Sequence, residues 1–296
     1  MLLKEINEIT IIGPGLIGSS LGLALKESGI SKKIIGIDKS MSNLDDALKN
    51  KSIDEKRTNI DKRISNSQII FICTPVSQIE PLVLKILPFI NNNKTIITDV
   101  GSVKRCFSKK TISRVMNKCN LVPGHPIAGT EFSGAVNAKK DLFKKKWCVL
   151  TPLDNKNRSN LIIRKIWEEI GMNVSIMNVD EHDKIMSITS HLPHLIAFTI
   201  VGTAFSIDLK KKKDLINFSA GGFRDFTRIG SSDPQMWTDI FIQNKTHLLK
   251  TLQDFLKDIE KFKNLIENDE IKKIFSSLKR NKKIRKSINQ LSSLKN

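Results

Sequence analysis

The stretch that most constrains the fold is a glycine-rich turn near the N-terminus. Residues 8–29 read EITIIGPGLIGSSLGLALKESG: a short β-branched run, a G-x-G-x-x-G turn, then an amphipathic helical pattern closed by a glycine. This order of strand, glycine turn and helix is typical of dinucleotide binding. Gly13 would make the tight turn, Gly15 would let the backbone approach a pyrophosphate, and Gly18 would let the helix pack against the strand.

The residues around this turn also predict which dinucleotide binds. The helix begins near Leu16 and Ile17, and its first N–H groups would face the phosphates. The next apolar run, residues 33–38, ends at Asp38, 20 residues after the last glycine of the turn. An acid there accepts hydrogen bonds from ribose hydroxyls and repels a 2′-phosphate, so NAD is favoured over NADP. Lys39 weakens that preference slightly.

The alternation of apolar runs and helices continues through the first half of the chain. Three further apolar runs each end near a polar side chain: residues 68–75 near Thr74, residues 94–104 near Ser102, and residues 120–126 near His125. Near-continuous apolar strands that alternate with helices indicate a parallel sheet covered on both faces. Ligands of such sheets bind beyond the carboxyl ends of the strands, so we expect these three side chains at the rim that holds the cofactor.

His125 lies in the stretch VPGHPIAGTE, where no helix or strand pattern is recognisable. We therefore predict a loop, which is where a rigid scaffold often presents a functional side chain. A structural histidine that makes one hydrogen bond is the alternative interpretation.

The second half of the chain is predicted to be helical. After a last strand at residues 173–177, residues 180–205 form one long helical pattern interrupted near Pro193. His182, His191 and His194 lie on it. We predict a nucleotide-binding domain over residues 1–178 and a helical domain over residues 179–296.

Two arginines of the helical half lie in an apolar context. Arg224 and Arg228 fall in the stretch FSAGGFRDFTRIGSSDPQMW. An arginine in such a context needs a partner, either an internal acid or an anionic ligand. Asp225 could satisfy Arg224, so we assign Arg228 to a ligand.

Composition limits the class of protein. The net charge is +19, and residues 271–296 carry nine Lys or Arg and no acid. We interpret that tail as a solvated helix face or a frayed terminus, with polyanion binding as the alternative, and expect no nucleic-acid partner. No stretch approaches the roughly 20 apolar residues of a membrane span, and the four cysteines have no CxxC spacing. We therefore expect a cytoplasmic protein without a metal site, a disulfide or a membrane partner.

Several motifs together resemble one enzyme family. In chain order they are GPGLIGSSLGLAL, TDVGSVK, GHPIAGTEFSGAVNA, DEHDKIMSITSHLPH, GGFRDFTRI and DPQMW, from about Glu8 to beyond Trp237. They resemble the prephenate dehydrogenase family, which oxidises cyclohexadienyl acids on the way to tyrosine. The resemblance implies an α/β Rossmann-type parallel-sheet domain followed by an all-α dimerisation domain, NAD as cofactor, and a homodimer. Some members of this family carry a fused chorismate mutase or a regulatory ACT domain; we expect neither here, because the sequence begins at the nucleotide-binding pattern and only a Lys-rich tail follows the helical pattern.

The resemblance assigns roles to residues at the centre of the site. His125 is similar to the catalytic histidine that accepts the proton of the ring C4 hydroxyl as hydride leaves C4. Ser102 is similar to the residue that orients this histidine. Arg228 would bind a substrate carboxylate, His194 would line the same pocket, and Trp237 would lie near it.

The resemblance also assigns roles at the edge of the site. Glu131 and Asp225 match acidic positions at the pocket mouth, where an ion-pair gate with Arg224 would form. His182 matches a helix-start position with a more structural role.

Four functions remain open at this point. The leading prediction is the NAD-dependent oxidative decarboxylation of prephenate to 4-hydroxyphenylpyruvate. The close alternative is the conversion of arogenate to tyrosine, with Glu131 as a candidate partner of the substrate ammonium. A β-hydroxyacid dehydrogenase would use a catalytic lysine in the helical domain, and the His-Pro stretch and Arg228 argue against it. The non-enzyme alternative is a dinucleotide-sensing or nucleic-acid-binding protein.

Overall fold

The fold was analysed in a computed structural model, which describes residues 6–90, 94–116, 118–130, 132–154, 156–206 and 217–293. The chain divides into two compact units, Met1–Lys245 and Thr246–Asn296.

A six-stranded parallel sheet forms the centre of the first unit. Its strands are β1 (Ile6–Ile12), β2 (Ser31–Ile37), β3 (Glu55–Arg57), β4 (Ile69–Ile72), β5 (Ile96–Asp99) and β6 (Asn120–Val122). The spatial order is β3-β2-β1-β4-β5-β6. This is the doubly wound order of the Rossmann fold, in which the crevice between β1 and β4 receives the ligand. The predicted fold class is confirmed.

Helices cover both faces of this sheet. They are α1 (Leu16–Glu27), α2 (Met41–Lys49), α3 (Val76–Ile86), α4 (Lys109–Met116) and α5 (Arg158–Glu169). Successive residues of β4 belong to opposite apolar clusters: Ile69 and Phe71 pack in one, Ile70 and Ile72 in the other. Burial on both faces explains why the strands are almost wholly apolar.

A second, three-stranded sheet corrects the prediction of a loop around His125. It comprises β7 (Gly124–Ile127), β8 (Trp147–Leu150) and β9 (Asn173–Ile176), in the order β7-β8-β9. His125 therefore lies on a strand, paired antiparallel with Val149 of β8. The partner strand is more than 20 residues away in sequence, so no local pattern indicates it. Pro126 is tolerated because β7 is an edge strand.

The helix that follows the apolar run at residues 94–104 begins later than the alternation of strands and helices predicts. Residues 101–108 form turns, and α4 starts at Lys109. The reason is tertiary: the backbone N–H groups of Lys104 and Arg105 donate to the carboxylate of Asp183, at 2.8 and 2.9 Å. These hydrogen bonds fix the turn in place of a first helical turn.

The rest of the described chain is helical. In the first unit it forms α6 (Val179–Met186), a π-helical segment (Ser187–His191), α7 (Leu192–Ser206), α8 (Gly221–Thr227) and α9 (Pro234–Gln243). The second unit is built from α10 (Lys245–Glu267) and α11 (Ile271–Ser293), and the Lys-rich stretch lies in α11.

The π-helical segment is the interruption expected near Pro193. Proline has no N–H to donate to the carbonyl four residues earlier, so the helix changes its hydrogen-bonding pattern just before it. Such π segments are frequent at functional sites, and this one ends at His191.

One stretch of the described residues is long and apolar enough to cross a membrane, contrary to the expectation from composition. This stretch is Val179–Ser206, which has a mean hydropathy of 1.4 and is 28% buried. Helices of a protein core pass the same test. This stretch carries His182 and His191, which are 0% and 1% exposed within the first unit.

Candidate active site

The glycine turn has the geometry that a dinucleotide needs. Gly13 has a φ of +82°, and a Cβ there would lie 2.8 Å from the carbonyl oxygen of Cys73. A Cβ on Gly18 would lie 2.4 Å from the carbonyl oxygen of Gly13, so helix and turn are in close contact. A Cβ on Gly15, by contrast, would meet nothing within 4 Å. Gly15 thus borders open space at the start of α1, where Leu16 and Ile17 begin the helix and no acid lies in the first turn.

Asp38 and Thr74 lie at the ends of the two strands that flank β1. Asp38 is half-buried; one carboxylate oxygen accepts from the Ser40 N–H at 2.9 Å and the other from the Asn43 amide at 3.4 Å. Each oxygen keeps a further lone pair for a ribose hydroxyl. The Thr74 hydroxyl is buried and has no hydrogen-bond partner within the described part of the chain. Open space at Gly15 and this unsatisfied hydroxyl fit a bound dinucleotide.

His125 is the first member of a buried hydrogen-bonded chain. Its Nδ1 lies 2.8 Å from Nε2 of His182, and Nδ1 of His182 lies 2.7 Å from Oδ1 of Asp183. Asp183 also accepts the backbone N–H groups of Lys104 and Arg105. Strand β7, helix α6 and the turn after β5 therefore meet at this chain.

A buried ion pair joins the same turn to β5 and β7. The ammonium of Lys104 donates to the carboxylate of Asp99 and to the carbonyl oxygen of Gly124, and both side chains of the pair are fully buried. A Cβ on Gly124 would lie 3.2 Å from the carbonyl oxygen of Asp99. The two backbones are thus in close approach, and the hydrogen bond from Lys104 to the Gly124 carbonyl holds β7, and with it His125, at the carboxyl end of β5.

The electrostatics of this hydrogen-bonded chain favour a neutral His125. Burial, followed by the nearby His182, Lys104 and His191, holds the pKa of His125 well below its usual value of 6.5. Burial also lowers the pKa of His182, although Asp183 opposes this effect. Burial opposes ionisation of Asp183, yet the hydrogen bonds from His182 and from the two backbone N–H groups keep its pKa below 3.8. The carboxylate is therefore ionised and the imidazoles are neutral near pH 7.

A second group of rings extends this site along α7 and α9. His194 stacks on Trp237 with ring centroids 3.7 Å apart, and its Nδ1 lies 2.8 Å from the carbonyl oxygen of Ser190. His191 meets the same indole edge-on, at 6.2 Å. Burial lowers the pKa of His194, and the charge of Arg228 lowers it further, so Arg228 lies close to this ring.

The remaining predicted site residues lie at or near the surface of the described chain or outside the described residues. Ser102 is half-buried just beyond β5, and within the described residues His182, rather than Ser102, hydrogen-bonds to His125. Arg224 and Arg228 are both exposed. Glu131 lies outside the described residues. Asp225 is exposed on α8.

Sequence reasoning missed three contributors and undervalued His182. Asp183 ends the hydrogen-bonded chain that begins at His125, and the backbone N–H of Lys104 donates to Asp183. Asn244 hydrogen-bonds to Nδ1 of His191 at 3.0 Å. Asp183 and Lys104 are charged residues inside the motifs DEHDK and TDVGSVK. A buried charge requires a partner, but nothing in these polar motifs shows which of their charges is buried.

The structure combines a Rossmann sheet that has an open glycine turn with a helical region. The helical region brings His182 and Asp183 to His125 at the carboxyl edge of the sheet. This combination defines a nucleotide-dependent dehydrogenase. The family model described as prephenate dehydrogenase, nucleotide-binding domain, matches residues 21–176. That described as prephenate dehydrogenase, dimerization domain, matches residues 178–280. The chain therefore belongs to the prephenate dehydrogenase family, and the prediction of an oxidoreductase of this family is confirmed.

Individual relatives agree with this assignment. The chain is 32% identical over 281 residues to the cyclohexadienyl dehydrogenase of Zymomonas mobilis, covering 94% of this chain and 95% of the relative. The structure is similar to that of A. aeolicus prephenate dehydrogenase in complex with hydroxyphenyl propionate and NAD⁺, with a TM-score of 0.87, 32% identity, and 96% and 99% of the two chains covered. It is also similar to Synechocystis arogenate dehydrogenase, with a TM-score of 0.79, 28% identity, and 95% and 99% coverage.

Proposed function

We propose that this protein catalyses the NAD-dependent oxidative decarboxylation of prephenate to 4-hydroxyphenylpyruvate, a step of tyrosine biosynthesis. The observation that carries the proposal is His125: a buried, neutral imidazole whose Nδ1 is tied to His182, at the rim that holds the glycine turn. Because Nδ1 is engaged, Nε2 is the nitrogen that accepts a proton from substrate.

NAD is the cofactor, and when bound it supplies the acceptor for the hydride that leaves ring C4. The N–H groups that follow Gly15 would hold its pyrophosphate. Asp38 would accept hydrogen bonds from the adenosine ribose and exclude a 2′-phosphate. Thr74, beside the glycine turn, would offer its hydroxyl to the bound dinucleotide.

The chain's own residues account for the remaining requirements of the reaction. His125 removes the C4 hydroxyl proton, and a neutral imidazole suits that task. Ser102 lies beyond β5, where it would contact the same hydroxyl. Arg228 would hold a substrate carboxylate beside His194 and Trp237, and Arg224 with Glu131 would lie toward the pocket mouth. Loss of the C1 carboxylate as carbon dioxide makes the ring aromatic and drives the reaction forward.

Arogenate is the second candidate substrate, because a solved arogenate dehydrogenase shares this fold over nearly the whole chain. The two substrates differ only in an ammonium or a keto group on the side chain. An acid near the pocket mouth would favour arogenate, and Glu131 is the candidate.

The domain limits and the assembly form part of the proposal. We infer a nucleotide-binding domain over residues 1–178 and a helical dimerisation domain over residues 179–296, supported by family models that meet between residues 176 and 178. A homodimer is supported by the dimerization-domain match and by large apolar side chains exposed on α10 and α11, such as Leu256 and Phe275. Four free cysteines suit a reducing cytoplasm.

The proposal is tested by NADH formation with purified protein. Prephenate and arogenate are compared, each with NAD and with NADP, and the product is identified by chromatography as 4-hydroxyphenylpyruvate or tyrosine. We expect turnover of prephenate with NAD. Turnover of arogenate alone would identify arogenate as the substrate in place of prephenate, and no turnover with either would refute the proposal. Sedimentation of the same sample checks the dimer.

A further inference from the structure

The direction of every hydrogen bond in the chain from Asp183 to His125 can be deduced. The Lys104 and Arg105 partners of Asp183 are backbone N–H groups, which can only donate. Asp183 must accept both, and as a carboxylate it has no proton to give. Nδ1 of His182, 2.7 Å away, must therefore be the donor toward Asp183.

The same logic passes through the ring of His182. A neutral imidazole with its proton on Nδ1 has a lone pair on Nε2. Nε2 of His182 lies 2.8 Å from Nδ1 of His125 and can only accept there, so Nδ1 of His125 must carry the proton. His125 then has its lone pair on Nε2.

We propose that His182 and Asp183 are positioning residues, which hold His125 in the tautomer that is protonated on Nδ1 and unprotonated on Nε2. The proposal rests on the proposed function only in that His125 is the base; the tautomer itself is a property of the protein without substrate. His182 is thus part of the machinery that prepares the base, and its role goes beyond starting a helix.

The surroundings of the chain are consistent with this direction. The charged and titratable groups around His125 come from four elements: His182 and Asp183 on α6, Lys104 on the turn after β5, Asp99 on β5, and His191 on the π-helical segment. The ammonium of Lys104 is already paired with Asp99, so it does not compete for Asp183. All the side chains of the hydrogen-bonded chain are at most 8% exposed, so water does not replace these contacts readily.

The first test reads the tautomer directly and needs no turnover. The chain has five histidines, so ¹⁵N-labelled imidazole spectra of the full protein are simple, and the His125 signals are those lost in His125→Asn. We expect His125 near pH 7 to be neutral with its proton on Nδ1. A proton on Nε2 would overturn the proposal.

The second test removes the acceptor with Asp183→Leu. Oδ1 of Asp183 accepts from both Nδ1 of His182 and the Lys104 N–H, so an amide oxygen at this position would preserve the hydrogen bond, whereas leucine leaves no acceptor. Nothing then fixes the proton of His182 on Nδ1, and His125 is no longer held with its proton on Nδ1. We expect the spectrum to show this change and kcat to fall about 10²- to 10⁴-fold, as in Ser-His-Asp triads that lose the correct tautomer, with KM and NAD affinity unchanged. A folded variant with the wild-type tautomer and kcat would refute the role of Asp183.

Variants of His182 keep the proposal testable if Asp183→Leu does not fold. His182→Gln retains an acceptor for Nδ1 of His125, and we expect it to keep the tautomer and most of kcat. His182→Leu removes the acceptor, and we expect kcat to fall without a matching change in KM. Equal kcat in the two variants would contradict the proposal. Asp180→Asn, an exposed acid on the same helix, is the matched control and should behave as wild type.

The two proposals fail in different ways. If wild-type protein turns over neither substrate while His125 has the expected tautomer, the proposed function fails and the positioning role stands. If turnover is normal but the tautomer is the opposite one, the positioning role fails and the function stands.

Discussion

At the scale of single residues, the two arginines of the α8 region differ in their neighbours. Arg224 lies on the exposed side of α8, whereas Arg228 follows the helix and lies near enough to His194 to lower the pKa of that imidazole. His194 is in turn fixed against Trp237. An anionic substrate at this point would meet a cation and an aromatic face.

Replacing Arg228 should therefore weaken substrate binding in particular. We expect Arg228→Ala to raise KM for prephenate about 10- to 100-fold, since a hydrogen bond to a charged group contributes about 1.5–3 kcal/mol. Steady-state kinetics and NAD titration measure the two effects. Arg164→Ala, on the exposed surface of α5, is the control. A normal KM with weakened NAD binding would show that the residue is misassigned.

At the scale of secondary-structure elements, those encoded by a local sequence pattern were predicted correctly, and those fixed by distant partners were not. The strand, glycine turn and helix at the N-terminus are encoded within about two dozen consecutive residues, and the structure has them where the sequence predicts. Strand β7 and the turn at residues 101–108 are fixed by partners far along the chain, namely β8 and Asp183. No periodicity in the sequence reports such partners, so both were predicted wrongly.

Two glycines of the same turn should separate cofactor binding from folding. A Cβ at Gly15 meets open space, so Gly15→Ala should leave the melting temperature unchanged and weaken NAD binding. A Cβ at Gly18 would overlap the Gly13 carbonyl oxygen at 2.4 Å, so Gly18→Ala should destabilise the fold by about 1–3 kcal/mol. Thermal unfolding and NAD titration of both variants measure the contrast. Equal stability of the two variants would contradict this account of the turn.

At the scale of the whole molecule, the buried histidines couple stability to pH. The pKa values of His125, His182, His191 and His194 are all lowered by burial in the folded protein. In the unfolded chain these groups titrate near 6.5. As pH falls below 6.5, the unfolded state binds protons that the folded state does not, so stability is present above 6.5 and is lost toward pH 4.

We expect the free energy of unfolding to fall between pH 6.5 and pH 4. His191, with a pKa of about 4, contributes about 3 kcal/mol of this loss. Denaturant unfolding across this range measures it, and His191→Phe, which cannot be protonated, should show a shallower fall. Identical slopes for the variant and the wild type would contradict the prediction.

The site as a whole was predictable in part. The motifs identified the family and drew attention to His125, His194 and Trp237. They did not show that His182, 57 residues from His125 in sequence, is its hydrogen-bond partner. That contact depends on how α6 packs against β7, and no motif spacing encodes such packing.

We propose His125 as the base of an NAD-dependent oxidation of prephenate. The most direct measurement compares wild type with His125→Asn for kcat with prephenate and for NAD affinity. We predict that NAD affinity is unchanged and that kcat falls by about 10²- to 10⁴-fold, the usual contribution of a positioned acid or base. An unchanged kcat would contradict the claim and remove His125 from the reaction.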